Sequence, residues 1–489
     1  MYNRLEDLIQ HPVFHYFSEI SKIPRCSGNE KAISDYLVQF GKERNLEVKQ
    51  DEALNVIIKK PASPGYENVP PVIIQGHMDM VCEKNKGTIH DFRKDPIQLR
   101  VIEEMLYATN TTLGADNGIA VAYALALLDS KEVPHPSLEV VITTEEETTM
   151  GGALALNPAD FEGKILINLD SEEDHKLLVS SAGGIKATMI LPIIWDDAPK
   201  NVSAYCIGVR GLKGGHSGIS INKGRGNSNK IMGRILEDLS GEFPYFLQQI
   251  NGGSATNAIP RETDAIILVS RDSIKKLESK IDEWNDILRN ELKTSDPEVH
   301  ICLDSVKHDL SKVFSEETKQ KAITSLMLIP NGIQSMSMEM EGLVESSTNL
   351  GVITTFETEL HFESDSRSSI KSLKDALVKK ARLIAETLGC KLFTDSEYPE
   401  WPYNPDSKIR KVFEKVFKEK HGTDIEIIAV HAGIECGILI DKIPGLDAIS
   451  IGPDMYNVHT PNEHLSIPST INNWEYFLSV LKEMKFFDR

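Results

Sequence analysis

Apolar residues follow two textures along the chain. Through about residue 185, short apolar runs at 71–75 (PVIIQ), 138–142 (LEVVI) and 164–168 (KILIN) alternate with helical patterns, which signals α/β layering. Between the first two runs, 118–128 (GIAVAYALALL) is apolar nearly all round and predicts a buried helix. From near Gly184 the pattern shifts to long polar strands, such as 352–362 (VITTFETELHF), mixed with amphipathic helices. One helix follows Asp272 and Ser273, with Ile274, Leu277, Ile281, Trp284, Leu288 and Leu292 on one stripe. Another follows Ser368 and Ser369, with Ile370, Leu373, Leu377, Ile384 and Leu388 before Gly389. After about residue 399 the first texture returns, with a helix near 409–420 and a strand at 446–451. The pattern predicts an α/β domain built from 1–185 and 399–489, interrupted by an inserted α+β domain at 186–398. No repeat of fixed period or low-complexity tract is apparent.

Composition narrows the function. A length of 489 residues suits two domains, and 40% hydrophobic residues suffice for packed cores. Lys and Arg number 53 against 73 Asp and Glu, a net charge of −20. That disfavours nucleic acid and anionic membrane surfaces as partners. No apolar run reaches the roughly 18 residues a membrane helix needs. The first 30 residues lack a basic segment followed by an apolar one, so no secretory leader is expected. Six scattered cysteines without a CxxC pair predict reduced thiols and a cytoplasmic location.

The chemistry gathers where the strands end. The first run leads into Gly76-His77-Met78-Asp79, the second into Thr143-Thr144-Glu145-Glu146-Glu147, and the third ends at Asp170. The strand at 446–451 leads to His459-Thr460-Pro461-Asn462-Glu463, and Asp116 stands just before the apolar helix. In an open α/β sheet, ligands bind beyond the carboxyl ends of the strands. Taken singly, Asp116 is a helix cap, the glutamate run a solvated loop and each histidine a structural or surface residue. Five such residues converging on one rim point instead to a metal site. His77, Asp116, Glu147, Asp170 and His459 offer two imidazoles and three carboxylates, a set suited to Zn²⁺, Mn²⁺ or Co²⁺. Five ligands exceed what one catalytic zinc takes; two ions sharing a carboxylate accommodate them. Asp79 is spaced to orient the His77 imidazole.

The strings GHMDMV (76–81), LGADNGIAVA (113–122), NLDSE (168–172), GGHSG (214–218), NAIPRE (257–262) and HTPNE (459–463) occur in this order. With the Thr-Glu-Glu-Glu stretch, they closely resemble the M20 metallopeptidases, and more narrowly the aminoacyl-histidine dipeptidase branch. The resemblance implies a zinc-peptidase-like catalytic domain with a mixed central sheet, interrupted by an inserted α+β lid. It implies two Zn²⁺ per subunit, with His77 and Asp170 on one, Glu147 and His459 on the other, and Asp116 bridging. Asp79 and Glu146 take the catalytic positions, Glu146 as general base. Because Thr149 stands where the family often has glycine, a register one residue earlier, using Glu145 and Glu146, stays open. His216 resembles the lid histidine that stabilises the oxyanion. Asn257 and Arg367 resemble lid residues that hold the substrate backbone and its terminal carboxylate. The loop 430–435 (VHAGIE) resembles a substrate-facing loop.

The expected activity is hydrolysis of Xaa-His and related dipeptides, with a homodimer possible through the lid. Another amide hydrolase of the family, an aminopeptidase or deacylase, is the alternative. A non-catalytic binding protein would show a lost ligand or base, and none is missing. The Ser217 string lacks the G-x-S-x-G spacing of a serine nucleophile.

Overall fold

The three early apolar runs become neighbouring parallel strands. The computed structural model describes residues 4–307 and 311–487. The chain divides into two compact units: Met1–Ser180 with Tyr403–Ala429 and Ile434–Arg489, and Ser181–Pro402 with Val430–Gly433. The main sheet of the first unit contains β1 (Glu47–Gln50), β2 (Val56–Lys60), β3 (Val72–His77), β4 (Leu138–Thr143), β5 (Ile165–Asn168), β6 (Lys176–Ser181), β7 (Glu426–Val430) and β8 (Asp447–Ser450). Their spatial order is β1-β2-β4-β3-β5-β8-β6-β7. β3 runs parallel to β4 and β5, and β8 parallel to β5, whereas β1, β2 and β6 pair antiparallel. The sheet is therefore mixed.

Every residue of β3, β4 and β5 is buried. Parallel strands covered on both faces read as continuous apolar runs, which is why these three stood out in the sequence. Their register is level: Val72 lies opposite both Leu138 and Ile165, and His77 opposite Thr143. The residues that follow them thus emerge together at one rim.

The apolar run at 118–128 lies within a helix, Ala115–Asp129, buried on nearly every side. Asp116 (φ −79, ψ 108) and Asn117 (φ −113, ψ 34) depart from helical dihedrals, so regular helix starts at Gly118. A small antiparallel sheet formed by Leu99–Ile102, Met105–Ala108, Met455–Tyr456 and His464–Ser466 completes the unit.

In the second unit an antiparallel sheet packs against the helices Ser228–Glu242, Ile274–Glu291, Glu316–Leu328 and Lys371–Leu388. Leu277, Ile281, Trp284 and Leu288 from the predicted stripe join sheet residues such as Ile207, Leu247 and Ile267 in its core. Among the described residues no helix is long and apolar enough to cross a membrane.

Two expectations fail. The alternating run at 352–362 is not one strand but a hairpin, Val344–Thr355 with Glu359–Ser368. The turn is closed by Phe356 N donating to Glu359 O at 2.8 Å, and the sequence carries no Gly, Pro, Asn or Asp there to mark it. Cys26 and Cys82 are also not free thiols: a bridge between Cys26 and Met80 aligns their segments, and a disulfide joins them with Cα atoms 5.7 Å apart. Cys206, Cys302, Cys390 and Cys436 are free.

The helix meets β3 at Gly76, where an added Cβ would stand 2.4 Å from Ala120 Cβ and 2.5 Å from Asn117 Oδ1. Gly76→Ala is expected to cost about 1–3 kcal/mol through overpacking. Gly241→Ala, in a helix and with nothing within 4 Å of its Cβ, serves as control and should leave the melting temperature level or slightly raised. Thermal denaturation of both variants checks this.

Candidate active site

The rim beyond β3, β4 and β5 holds the predicted donors. His77 closes β3 and is 1% exposed. Its Nε2 lies 3.2 Å from Asp116 Oδ1, 3.4 Å from Asp170 Oδ1 and 3.9 Å from Glu146 Oε2. His459 sits in the loop between Met455–Tyr456 and His464–Ser466, at a left-handed φ of 63°. That backbone region is disfavoured for a non-glycine residue and often marks functional positions. His459 Nε2 is 3.0 Å from Asp116 Oδ2 and 3.0 Å from Glu147 Oε1.

Asp116 therefore presents one carboxylate oxygen to each histidine. Donor atoms of His77, Asp116 and Asp170 lie within 4.8 Å of one another, as do those of Asp116, Glu147 and His459, and of His77, Glu146 and Glu147. This is the donor chemistry of a site for two borderline cations sharing one carboxylate, so the residues present fit such ions.

Asp79, fully buried, braces the cluster. Its Oδ1 is 3.2 Å from His77 Nδ1 and accepts from Glu146 N at 3.1 Å; its Oδ2 accepts from Glu147 N at 3.3 Å and from Ser27 Oγ at 2.7 Å. One carboxylate thus lies against the imidazole and fixes the turn that presents both glutamates. Glu145 lies outside the donor groups, its Oε2 accepting from Thr149 Oγ1 at 3.1 Å.

The second unit gathers its own candidates. Pairing of Gly215 with Ile259 and His216 with Ala258 sets His216 beside Asn257, whose carbonyl accepts from Ser217 N at 2.8 Å. His216 Nδ1 lies 3.1 Å from the donating Gly218 N and 3.2 Å from Ile219 N. Arg367 is 6% exposed and donates to Tyr398 Oη and to Asp365 Oδ2, each at 2.7 Å. Asp365 also accepts from Ser217 Oγ at 3.1 Å, tying the arginine to the His216 loop.

Residues 73–483 match peptidase family M20/M25/M40. The chain belongs to this family. It is 36% identical over 482 residues, 99% of both chains, to the cytosol non-specific dipeptidase of Escherichia coli. The aminoacylhistidine dipeptidase of Vibrio alginolyticus superposes with a TM-score of 0.91 at 37% identity, covering 98% of this chain and 97% of that one. The aminopeptidase PepT of Bacillus cereus shares the fold alone, with a TM-score of 0.57 at 15% identity over 97% and 98% of the two chains. The protein is accordingly a peptide hydrolase of the M20/M25/M40 family.

Several supporting residues escaped the sequence reading. Arg25 is buried and donates to the carbonyls of Met78, Asp79 and Gly114. Glu463 accepts from the backbone N–H groups of Leu113, Gly114 and Ala115 at 2.7–3.0 Å, pinning the turn that delivers Asp116. Asn117 accepts from His77 N at 3.2 Å and donates to Leu169 O at 2.9 Å, linking the ends of β3 and β5. Glu463 and Asn117 lie inside recognised motifs; Arg25 had no signal at all.

The electrostatics of the peptide alone follow from burial and from the opposed charges gathered at the rim. Burial, reinforced by Asp170, Glu435 and Asp116 against the opposing His77, holds Glu146 well above the ordinary carboxylate range. Burial likewise raises Glu147 and Asp170. Asp116 is lowered, because hydrogen bonds with His459 and His77 outweigh its burial. Full burial penalises a charged His77, yet Asp170, Asp116 and Asp79 hold it well above its usual value. His459 is pushed up to about 11 by hydrogen bonds with Asp116 and Glu147. Without metal, protons on the imidazoles supply the positive charge the carboxylates demand.

In metal-free protein the His459 pairing should therefore stabilise fully below the unfolded pKa of about 6.5 and lose its contribution as pH rises toward about 11. The stability difference between wild type and His459→Ala should shrink steadily from pH 6 to pH 10 in denaturant unfolding of chelator-treated protein.

Proposed function

We propose that the protein is a zinc-dependent dipeptidase that cleaves Xaa-His and related dipeptides. The observation that carries this reading is the Asp116 carboxylate, one oxygen directed to His77 and the other to His459. His77, Asp116 and Asp170 would hold one ion, and Asp116, Glu147 and His459 the other. The ions, when bound, supply Lewis acidity, lowering the pKa of water and polarising the scissile carbonyl.

Glu146 stands beside these donors without belonging to the Asp116-bridged pair of groups, and its largely buried carboxylate is free to move a proton. It takes the proton from the attacking water and returns it to the leaving amine. Asp79 holds the His77 ring and the Glu146 and Glu147 backbone rigid during both transfers.

His216 is suited to an oxyanion for a reason of tautomer. Burial and the Arg367 charge lower it to about 4, so it is neutral at pH 7. With Nδ1 accepting two backbone N–H groups, the proton resides on Nε2, which becomes a donor to developing negative charge. Asn257 and Arg367 would hold the dipeptide backbone and its terminal carboxylate, Arg367 with the N–H groups left after Asp365 and Tyr398. We read the second unit as the lid that carries these three, and as the face through which copies of the chain could pair. The relatives' names favour dipeptides, and the Escherichia coli name favours a range broader than Xaa-His. That same name supports a cytoplasmic site of action.

The deciding experiment removes metal with a chelator and titrates Zn²⁺ back while following hydrolysis of a dipeptide panel. Activity should return and saturate near two equivalents, with Xaa-His substrates cleaved; activity indifferent to verified metal removal overturns the reading. Glu146→Gln should lower kcat by about 10²–10⁴-fold while zinc uptake stays at the wild-type stoichiometry. Near-normal kcat in that variant would remove Glu146 from the role of base.

A further inference from the structure

Three neighbouring strands of largely apolar residues, in which His77 and Glu139 are also buried, each carry a further polar residue near the end. Gln75 in β3, Thr143 in β4 and Asn168 in β5 are all 0–1% exposed. Buried polar groups persist where they are hydrogen-bonded, and these three are joined in one network. Asn168 Oδ1 accepts from Asp170 N at 3.1 Å, and Asn168 Nδ2 donates to Gln75 Oε1 at 2.5 Å. Gln75 Nε2 in turn donates to Glu435 Oε2 at 2.5 Å, and Thr143 Oγ1 donates to the same oxygen at 2.6 Å.

The network therefore ends on Glu435, the first residue of the helix Glu435–Lys442. It is fully buried, and its other oxygen, Oε1, has no hydrogen-bond partner among the described residues. A half-satisfied buried carboxyl is a poor way to stabilise a core, since an apolar residue of similar size would serve better. Its neighbours show a different use. Gln75 lies two residues before His77 in β3, and residues two apart in a strand share a face, while Asn168 ends β5 and its side chain accepts from Asp170 N. Thr143 ends the strand that leads to Glu146 and Glu147.

We propose that Glu435 is a positioning residue of the hydrolytic site: by anchoring Gln75, Thr143 and Asn168 it fixes the strand ends that present His77, Asp170 and the glutamates, and so sets the affinity for metal ions. The inference rests on the metal site proposed above. Glu435 acts through the three anchored side chains, so what matters is its capacity to accept two hydrogen bonds. A glutamine in its place keeps an oxygen for both donors; an alanine leaves Gln75 Nε2 only the 3.3 Å contact with Thr143 Oγ1, and Thr143 Oγ1 only the 3.2 Å contact with Gly76 O.

Competition titration of Zn²⁺ against a chromogenic chelator tests this, on wild type, Glu435→Ala, Glu435→Gln and Thr143→Val, with thermal melting of each metal-free protein. Glu435→Ala should bind at least one ion about 10–100-fold more weakly, and Glu435→Gln should restore affinity to within about threefold of wild type. Thr143→Val, which removes one donor with little change of shape, should weaken binding in the same direction by less. A Glu435→Ala protein that melts lower but binds metal as wild type does would make the network purely structural and overturn the proposal. If that variant does not fold, wild-type affinity in Thr143→Val overturns it instead. Failure of wild type itself to bind zinc would sink the underlying metal reading, a separate outcome.

Discussion

Buried negative charge needs a positive partner, and this requirement organises the first unit. Asp116, Glu146, Glu147 and Asp170 share a mostly buried rim with two imidazoles. Isolated carboxylates in such a place would protonate or open the structure to water. The surrounding architecture holds them against their own repulsion. Glu463 grips the turn before Asp116, Asp79 the turn before Glu147, and Asn117 the gap between two strand ends. Each brace uses directional hydrogen bonds to backbone, the kind of contact that survives when side-chain charges change.

Hydrophobic pattern was enough to find the central strands and the buried helix, because burial on both faces leaves no alternation to misread. His77, Glu147 and Asp170 were legible for a related reason: they stand at or just beyond strand ends, where position in the chain and position in space nearly coincide, whereas Asp116 opens a helix and His459 lies in a loop. Asp79 shows the limit of that logic. Its spacing from His77 suggested orientation of the ring, yet its bonds to Glu146 N and Glu147 N join segments some seventy residues apart and had no local sign.

What escaped notice depends on long-range pairing. Arg25 resembles any helix-proximal arginine until the fold brings three carbonyls to it. Arg367 resembles a residue that holds a substrate carboxylate, but the partners that account for its burial, Asp365 in the same strand and distant Tyr398, carried no such sign. The hairpin at 356–358 was missed because alternation continues on both arms and the turn is made by residues with no turn preference. The Cys26–Cys82 pairing was missed because sequence spacing says nothing of the bridge between Cys26 and Met80.

The level register of β3, β4 and β5 makes this site a matter of length as much as of residue identity. Each strand advances about 3.3 Å per residue and reverses face at every step. One residue inserted before His77 would move that imidazole by a whole rung or turn it to the opposite side of the sheet. Substitutions within the strands can be absorbed by neighbouring side chains, whereas a single insertion or deletion has no local remedy. Variation among active proteins of this architecture should therefore be permissive in composition at these strands and strict in spacing, with changes of chain length confined to the loops beyond them.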